Sequence, residues 1–420
     1  MKQVVVLFFS LFFIINTFSQ EKIVSELKVQ GNKKLKTSFV KSISTIKSGI
    51  VLDSIIIGQD IIRLKRLPSV SNADYQIFRS NDNQYKVIYN IEENLTIIPV
   101  VNIYTTNNDE FAYRIGLYEY DLFGRNITFG GFYQKDIYSS YAINFRAPNM
   151  FGSKLGLAIN YQDLTTQEPV FFDASSANYK YNNESFEVLG LYELNFKNRL
   201  ELGLNFFTED YKYVSGNLSA EAPQELKVDK VLYKLIYEYN KLDYHYYFVS
   251  GIRNQFNFQY VASRSNDLPK FLIGWNDFLY FKRIGKKGNL ANRLRVGFST
   301  NDKTPFAPFA LDNNINIRGV GNTIDRGTAS IVLNSEYRQT LIEKKWFVLQ
   351  GNAFVDSGTW RNPGGDLSEF TDSNNIKVYS GLGIRLMHKK IFNAIFRIDY
   401  GVGLTTDTTS GLVFGIGQYF

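Results

Sequence analysis

From residue 97 to the C-terminus, apolar and polar positions alternate with a period of two; the preceding residues do not follow this pattern. In 186–196, Phe186, Val188, Gly190, Tyr192, Leu194 and Phe196 share one face, and Glu187, Glu193 and Asn195 fall on the other. In 231–240, Val231, Tyr233, Leu235, Tyr237 and Tyr239 oppose Lys234, Glu238 and Asn240. In 391–400, Phe392, Ala394, Phe396, Ile398 and Tyr400 oppose Asn393, Arg397 and Asp399. Near the C-terminus, Leu412, Phe414, Ile416 and Phe420 oppose Gly415 and Gly417. A period of two is the signature of a strand with one apolar face.

The pattern predicts sixteen strands: 97–106, 111–121, 126–136, 139–147, 154–164, 184–196, 199–213, 227–241, 244–262, 270–284, 288–300, 328–342, 345–357, 374–388, 391–404 and 411–420. Strands of about 10–14 residues suit a tilted crossing of a bilayer better than the five or six of a soluble strand. Long connections (165–183, 214–226, 301–327 and 358–373) follow odd strands, and short ones follow even strands. That asymmetry belongs to outer-membrane barrels, whose periplasmic turns are short and outer loops long. The expected fold is therefore mainly β: a 16-stranded transmembrane antiparallel β-barrel over 97–420, with both ends at the periplasmic side.

Residues 20–95 read differently. A strand at 23–30 stops at Gly31-Asn32. Phe39, Val40, Ile43 and Ile46 recur at helical spacing behind the candidate caps Thr37 and Ser38, and Lys47-Ser48-Gly49 closes that helix. A second helix starts at Asp53, carries Ile56, Ile57, Ile61 and Leu64 on one side, and ends before Pro68. Strands at 73–79 and 85–92 follow, joined through Asn81-Asp82-Asn83. The order is βααββ, a small α/β unit. Ahead of it, residues 1–19 read as a secretory signal: Lys2, an apolar run 4–15, then Thr17 and Ser19 before the cut. That run is well short of the roughly 20 residues a spanning helix needs.

The chain has 420 residues, 47 Lys+Arg against 40 Asp+Glu, and no cysteine. The positive excess forms no run, so a nucleic-acid partner is not expected. Without cysteine there is no disulfide framework. His245 and His388 have no ligand spacing, and no nucleophile or phosphate-cradling motif is present. We expect no metal, no cofactor and no enzymatic activity.

The candidate chemistry lies in the connection 301–327, at Ile317-Arg318-Gly319-Val320. Downstream are Glu336 and the run Phe354-Val355-Asp356-Ser357-Gly358, on neighbouring predicted strands. A guanidinium fork suits one or two carboxylates. The expectation is that the loop folds back into the barrel and Arg318 meets Asp356 and Glu336 on its lining, with Gly319 allowing the turn.

Two resemblances follow from these residues. Lys28-Val29-Gln30-Gly31-Asn32-Lys33 and the later Ile61-Ile62-Arg63-Leu64 resemble a POTRA domain, a periplasmic polypeptide-binding module. One such module, sixteen strands and an Arg-Gly motif in the sixth outer loop together resemble the BamA/TamA/FhaC superfamily of assembly and translocation barrels. The family loop motif carries an aromatic where this chain has Val320, and its inner-wall motif Phe-x-Asp-x-Gly matches Phe354, Asp356 and Gly358. The resemblance also implies that Glu336 is the second acidic partner. It implies a weak seam between first and last strands, here around Val100, Asn102 and Tyr104 on one side and Leu412, Phe414, Ile416 and Phe420 on the other. A terminal aromatic such as Phe420 resembles the C-terminal signal of bacterial barrel proteins. The implied function is insertion, assembly or translocation of polypeptides at the outer membrane of a Gram-negative cell. The implied partners are unfolded outer-membrane or secreted polypeptides, the lipid bilayer and periplasmic accessory proteins. A dedicated two-partner-type secretion pore and a passive diffusion channel remain as alternatives.

Overall fold

The computed structural model describes residues 21–105, 111–172, 175–218, 222–263, 269–304, 307–312, 315–321, 325–406 and 408–420. The expected signal segment lies outside these residues.

The N-terminal α/β region runs β1 (Ile23–Gln30), α1 (Thr37–Ile43), α2 (Ser54–Lys65), β2 (Val70–Asn81) and β3 (Gln84–Glu93). Its sheet has the order β1-β3-β2, with β1 parallel and β2 antiparallel to β3. Val24, Leu27, Val40, Ile57, Leu64, Val87 and Tyr89 form its core. Asp53 caps α2 through the N–H groups of Ile55 and Ile56. The first helix is shorter than the spacing predicted, and Ile46 is buried in a non-helical segment. The reason is Asp60: its carboxylate accepts the backbone N–H of Thr45 and of Ile46, each at 2.9 Å, which satisfies the chain outside a helix.

The remainder is an antiparallel ring of sixteen strands. They are β4 (Ile97–Thr105), β5 (Phe111–Leu122), β6 (Ile127–Lys135), β7 (Ser139–Ala147), β8 (Leu155–Phe172), β9 (Ser175–Asn195), β10 (Asn198–Gly216), β11 (Glu225–Asn240), β13 (Phe248–Ser263), β14 (Phe271–Ile284), β15 (Gly288–Ser299), β18 (Ala329–Glu343), β19 (Phe347–Arg361), β20 (Ile376–His388), β21 (Ile395–Gly403) and β22 (Ser410–Ile416). The short β12 (Asp243–His245) prolongs one turn, and β16 (Phe309–Ala310) pairs with β17 (Arg326–Gly327) inside the long loop before β18.

The outward positions are apolar and exposed: Leu202, Leu204 and Phe206 on β10, Leu382, Ile384 and Leu386 on β20, and Phe396, Ile398 and Tyr400 on β21. Their neighbours in sequence, Arg385, Arg397 and Asp399, are buried inside. An apolar outer face around a polar lining is the arrangement a bilayer selects.

Two expectations are corrected. The polar stretch 165–183 is not a loop: β8 runs on to Phe172 and β9 starts at Ser175. Val170, Ala177, Tyr179 and Tyr211 pack into a separate apolar cluster there, so alternation and burial continue beyond the region first read as strand. The last strand also ends early. It stops at Ile416, Gly417 turns the chain with φ +89°, and Tyr419 is buried in the interior. Phe420 packs against the inner cluster of Leu242, Leu279, Phe281 and Ala291, so it does not continue the outward row of Leu412, Phe414 and Ile416.

The α/β region is fastened to the short-turn end of the ring. Arg66 donates to the carbonyl oxygens of Phe196, Asn240 and Leu242, at 3.3, 3.1 and 2.9 Å, and lies over the Phe196 ring. Arg63 pairs with Glu193 at 2.8 Å, and Lys34 pairs with Glu119. On the same side, Lys36 N–H donates to the Gly124 carbonyl at 2.9 Å.

Candidate functional site: the loop anchored in the barrel

The strands that carry the site are neighbours: β15, β18, β19, β20 and β21 pair in that order. Because side chains alternate, every second residue faces in. Asn334, Glu336 and Arg338 from β18, Phe354 and Asp356 from β19, Arg385 from β20, and Arg397 and Asp399 from β21 therefore line one wall. Asn334 is the direct cross-strand partner of Asp356, and Glu336 that of Phe354.

The loop between β15 and β18 descends onto this wall. Leu311, Ile317 and Val320 bury themselves with Trp360 and Tyr379. The cluster holds the backbone in place and points Arg318 inward, where it is 0% exposed. Its Nε and Nη2 donate to the two oxygens of Asp356 at 2.8 and 3.0 Å, a two-pronged charge-assisted contact. Its backbone N–H adds a third bond to Asp356 at 3.0 Å. Nη1 donates to Glu336 at 2.5 Å. The guanidinium is sandwiched between two rings, Phe354 at 3.7 Å and Tyr419 at 4.4 Å.

The glycines are explained by contact. Gly319 has φ +97°, and a Cβ there would stand 2.7 Å from the Gly401 carbonyl oxygen. A Cβ on Gly358 would meet Ile317 and Leu311, each at 2.7 Å, so the inner-wall glycine makes room for the loop's apolar anchor. Val320, where the related motif has an aromatic, is 3% exposed and fills the same cluster.

Ile317, Arg318, Gly319, Glu336, Phe354, Asp356 and Gly358 thus converge on one place. Others complete it. Arg338 and Arg385 both donate to Glu336, Arg385 at 2.7 Å. Asp399 accepts from Asn352 at 3.0 Å and pairs with Arg318 at 3.7 Å. Asn334 donates to Asp356 at 2.8 Å and receives Arg293 at 2.9 Å. The inward parity of Arg397 and Asp399 was visible in the sequence. What was not visible is that five strands place them around one loop residue.

The first and last strands present a different picture. β22 closes the ring against β4 and, at seven residues, is the shortest of the sixteen strands. Leu412, Phe414 and Ile416 face outward along β22. Val100, Asn102 and Tyr104 pair on their other side with Gly116, Arg114 and Ala112 of β5.

A closed antiparallel ring with an apolar exterior, a charged lining and a long loop bound inside defines a transmembrane β-barrel of the plugged kind. The chain belongs to the Omp85 superfamily, whose domain model matches residues 121–420. The family and the barrel together place it in the outer membrane. No curated protein sequence matches it. Its fold is similar to that of BamA from Haemophilus ducreyi lacking POTRA domains 1-3, with TM-score 0.57 and 13% identity, over 93% of this chain and 83% of that one. It is likewise similar to CdiB from Acinetobacter baumannii (TM-score 0.59, 14% identity, 95% and 74% covered) and CdiB from Escherichia coli (0.60, 12%, 94% and 75%).

Proposed function

We propose that this barrel assists the insertion or assembly of polypeptides in the outer membrane, acting through the seam between β22 and β4. The observation that carries the proposal is the weakness of the strand that closes the ring against β4: β22 has seven residues, two of them Gly411 and Gly415. A strand edge that comes open at a weak junction offers free backbone donors and acceptors to an incoming strand. The Arg318 network supports this reading in a second way, since it holds β18–β21 rigid beside a yielding edge. We read the α/β region as a POTRA-like module on the periplasmic side that receives the client, with no chemical step required of any residue.

The test has two arms. Depletion followed by proteomics of the outer membrane should lower the levels of other barrel proteins. Liposomes carrying the purified chain should fold a urea-denatured barrel client to protease resistance faster than empty liposomes. Unchanged barrel levels together with unaccelerated folding would refute the proposal. If a dedicated secreted polypeptide instead accumulates in the periplasm on depletion, the secretion-pore reading replaces it. Steady conductance unaffected by loss of the Arg318 contacts would point to a passive channel.

A further inference from the structure

Three arginines of the lining carry N–H groups that no described residue accepts: Nη2 of Arg338, Nε and Nη1 of Arg385, and Nε of Arg397. Their side chains are 2%, 0% and 7% exposed. Buried donors of this kind are normally satisfied, and guanidinium groups cannot shed their charge to escape the problem.

The register sharpens it. Arg385 and Arg397 are direct cross-strand partners, both facing inward. Like charges placed opposite each other repel, and such pairs are disfavoured in sheets. They share one carboxylate oxygen: Asp399 Oδ2 lies 3.4 Å from Arg397 and 3.9 Å from Arg385. The same row continues with Gln350 opposite Arg385 and Gly415 opposite Arg397. Gly415 leaves the space beside the Arg397 guanidinium clear, because a Cβ there would stand 2.5 Å from its Nη2.

The local charge does not balance. Counting the buried groups of this wall, Arg293, Arg318, Arg338, Arg385 and Arg397 face Glu336, Asp356 and Asp399, five cations against three carboxylates; of the half-buried carboxylates nearby, Asp277 is held by Arg295 and Asp312 lies in the loop near Tyr419. Asp356 is committed to Arg318, and Glu336 already takes three arginines. Uncompensated charge in a shielded wall is unfavourable unless an anion joins it.

We propose that Arg385, Arg397 and Arg338 form an oxyanion site within the barrel, which takes a phosphate or carboxylate group through their unpartnered N–H donors. Planar forks of this type fit both groups. The row lies between the Arg318 contacts and the short turns 344–346 and 389–394, with the Tyr419 ring 4.8 Å from Arg397 and the Phe420 ring 5.7 Å from Arg338. Its source is either a free inorganic anion or the terminal carboxylate of a polypeptide. The proposal stands independently of the insertion reading.

The test uses the full chain folded in detergent, at constant ionic strength set with chloride. Inorganic phosphate at millimolar concentration should raise the melting temperature by about 2 °C or more. A tetraglycine peptide with a free C-terminus identifies the source. If it reproduces the shift and its amidated form does not, the site accepts peptide carboxylates; if phosphate alone acts, the inorganic anion is the ligand. The double variant R385Q/R397Q should lose the phosphate shift. Should that variant not fold, R338Q gives the reading: a diminished shift supports the site, and an undiminished one overturns it. The proposal also fails if neither probe shifts the wild-type protein, or if the shift survives in R385Q/R397Q.

Discussion

Replacing Arg318 by alanine removes the side chain on which the loop's position depends, and the structure sets the size of the effect. Glu336 loses one of three cationic partners and keeps Arg338 and Arg385. Asp356 loses the one cation it pairs with among the described residues, keeping Asn334 at 2.8 Å and the backbone N–H of residue 318 at 3.0 Å. Stranding one member of a buried pair costs about 3–5 kcal/mol, and the two surviving bonds to Asp356 put this case near the lower end, at about 3 kcal/mol. If the contact is absent in the transition state for unfolding, that is roughly a hundredfold faster unfolding. The assay is the rate at which the folded form is lost in detergent at fixed temperature, followed by its altered mobility on unheated gels. Arg318→Lys keeps the charge but not the fork and should fall between the two, losing about 1–2 kcal/mol. Combined with Asp356→Asn, the losses should be less than additive, because both variants remove the same contact. Wild-type unfolding of Arg318→Ala, or strict additivity with Asp356→Asn, would refute the reasoning.

Gly319→Ala should lower the melting temperature by an amount corresponding to more than about 1 kcal/mol, since a Cβ at φ +97° stands 2.7 Å from a backbone oxygen that cannot rotate away; an unchanged melting temperature would remove Gly319 from the argument. Arg66→Ala should free the α/β region from the turns at Phe196 and Leu242 without altering barrel melting, and trypsin should then cut after Lys241 several-fold faster; equal cutting rates would show that this contact does not hold the two parts together. Tyr89 donates to Asp60 at 3.0 Å in the α/β core, and burial, followed by the Asp60 charge, pushes its hydroxyl pKa upward. The neutral form is the one the fold favours, so its contribution is fully present below about pH 10 and fades as pH rises above that value. Urea unfolding of this region, probed with subtilisin at pH 8, 10 and 11, should weaken with pH in the wild type and less steeply in Tyr89→Phe; equal slopes would refute the assignment.

Periodicity alone determined a good deal. Period-two alternation with apolar outer positions is a local property of each strand, and it indicated the mainly β class, the sixteen-strand barrel and the inward parity of Arg397 and Asp399; the inward placing of Glu336 and Asp356 came from the resemblance of their motifs. The βααββ order upstream was legible for the same reason, because Asp53 and Pro68 act within a few residues of where they stand. Arg318 could be singled out because Ile317-Arg318-Gly319 and the run Phe354–Gly358 resemble the superfamily's motifs, on strands consistent with their meeting. Only the tertiary structure decided the rest. The capping of Thr45 and Ile46 by Asp60, the continuation of β8 and β9 through 165–183, and the inward turn at Gly417 each depend on partners distant in the chain. Tyr419 stacks on Arg318, a contact 101 positions back along the chain that exists only once the ring has curled. The pairing of Arg385 with Arg397 depends in the same way on the register between two strands. A sequence states which face a residue prefers; closure of the sheet decides which residues meet across the space it encloses.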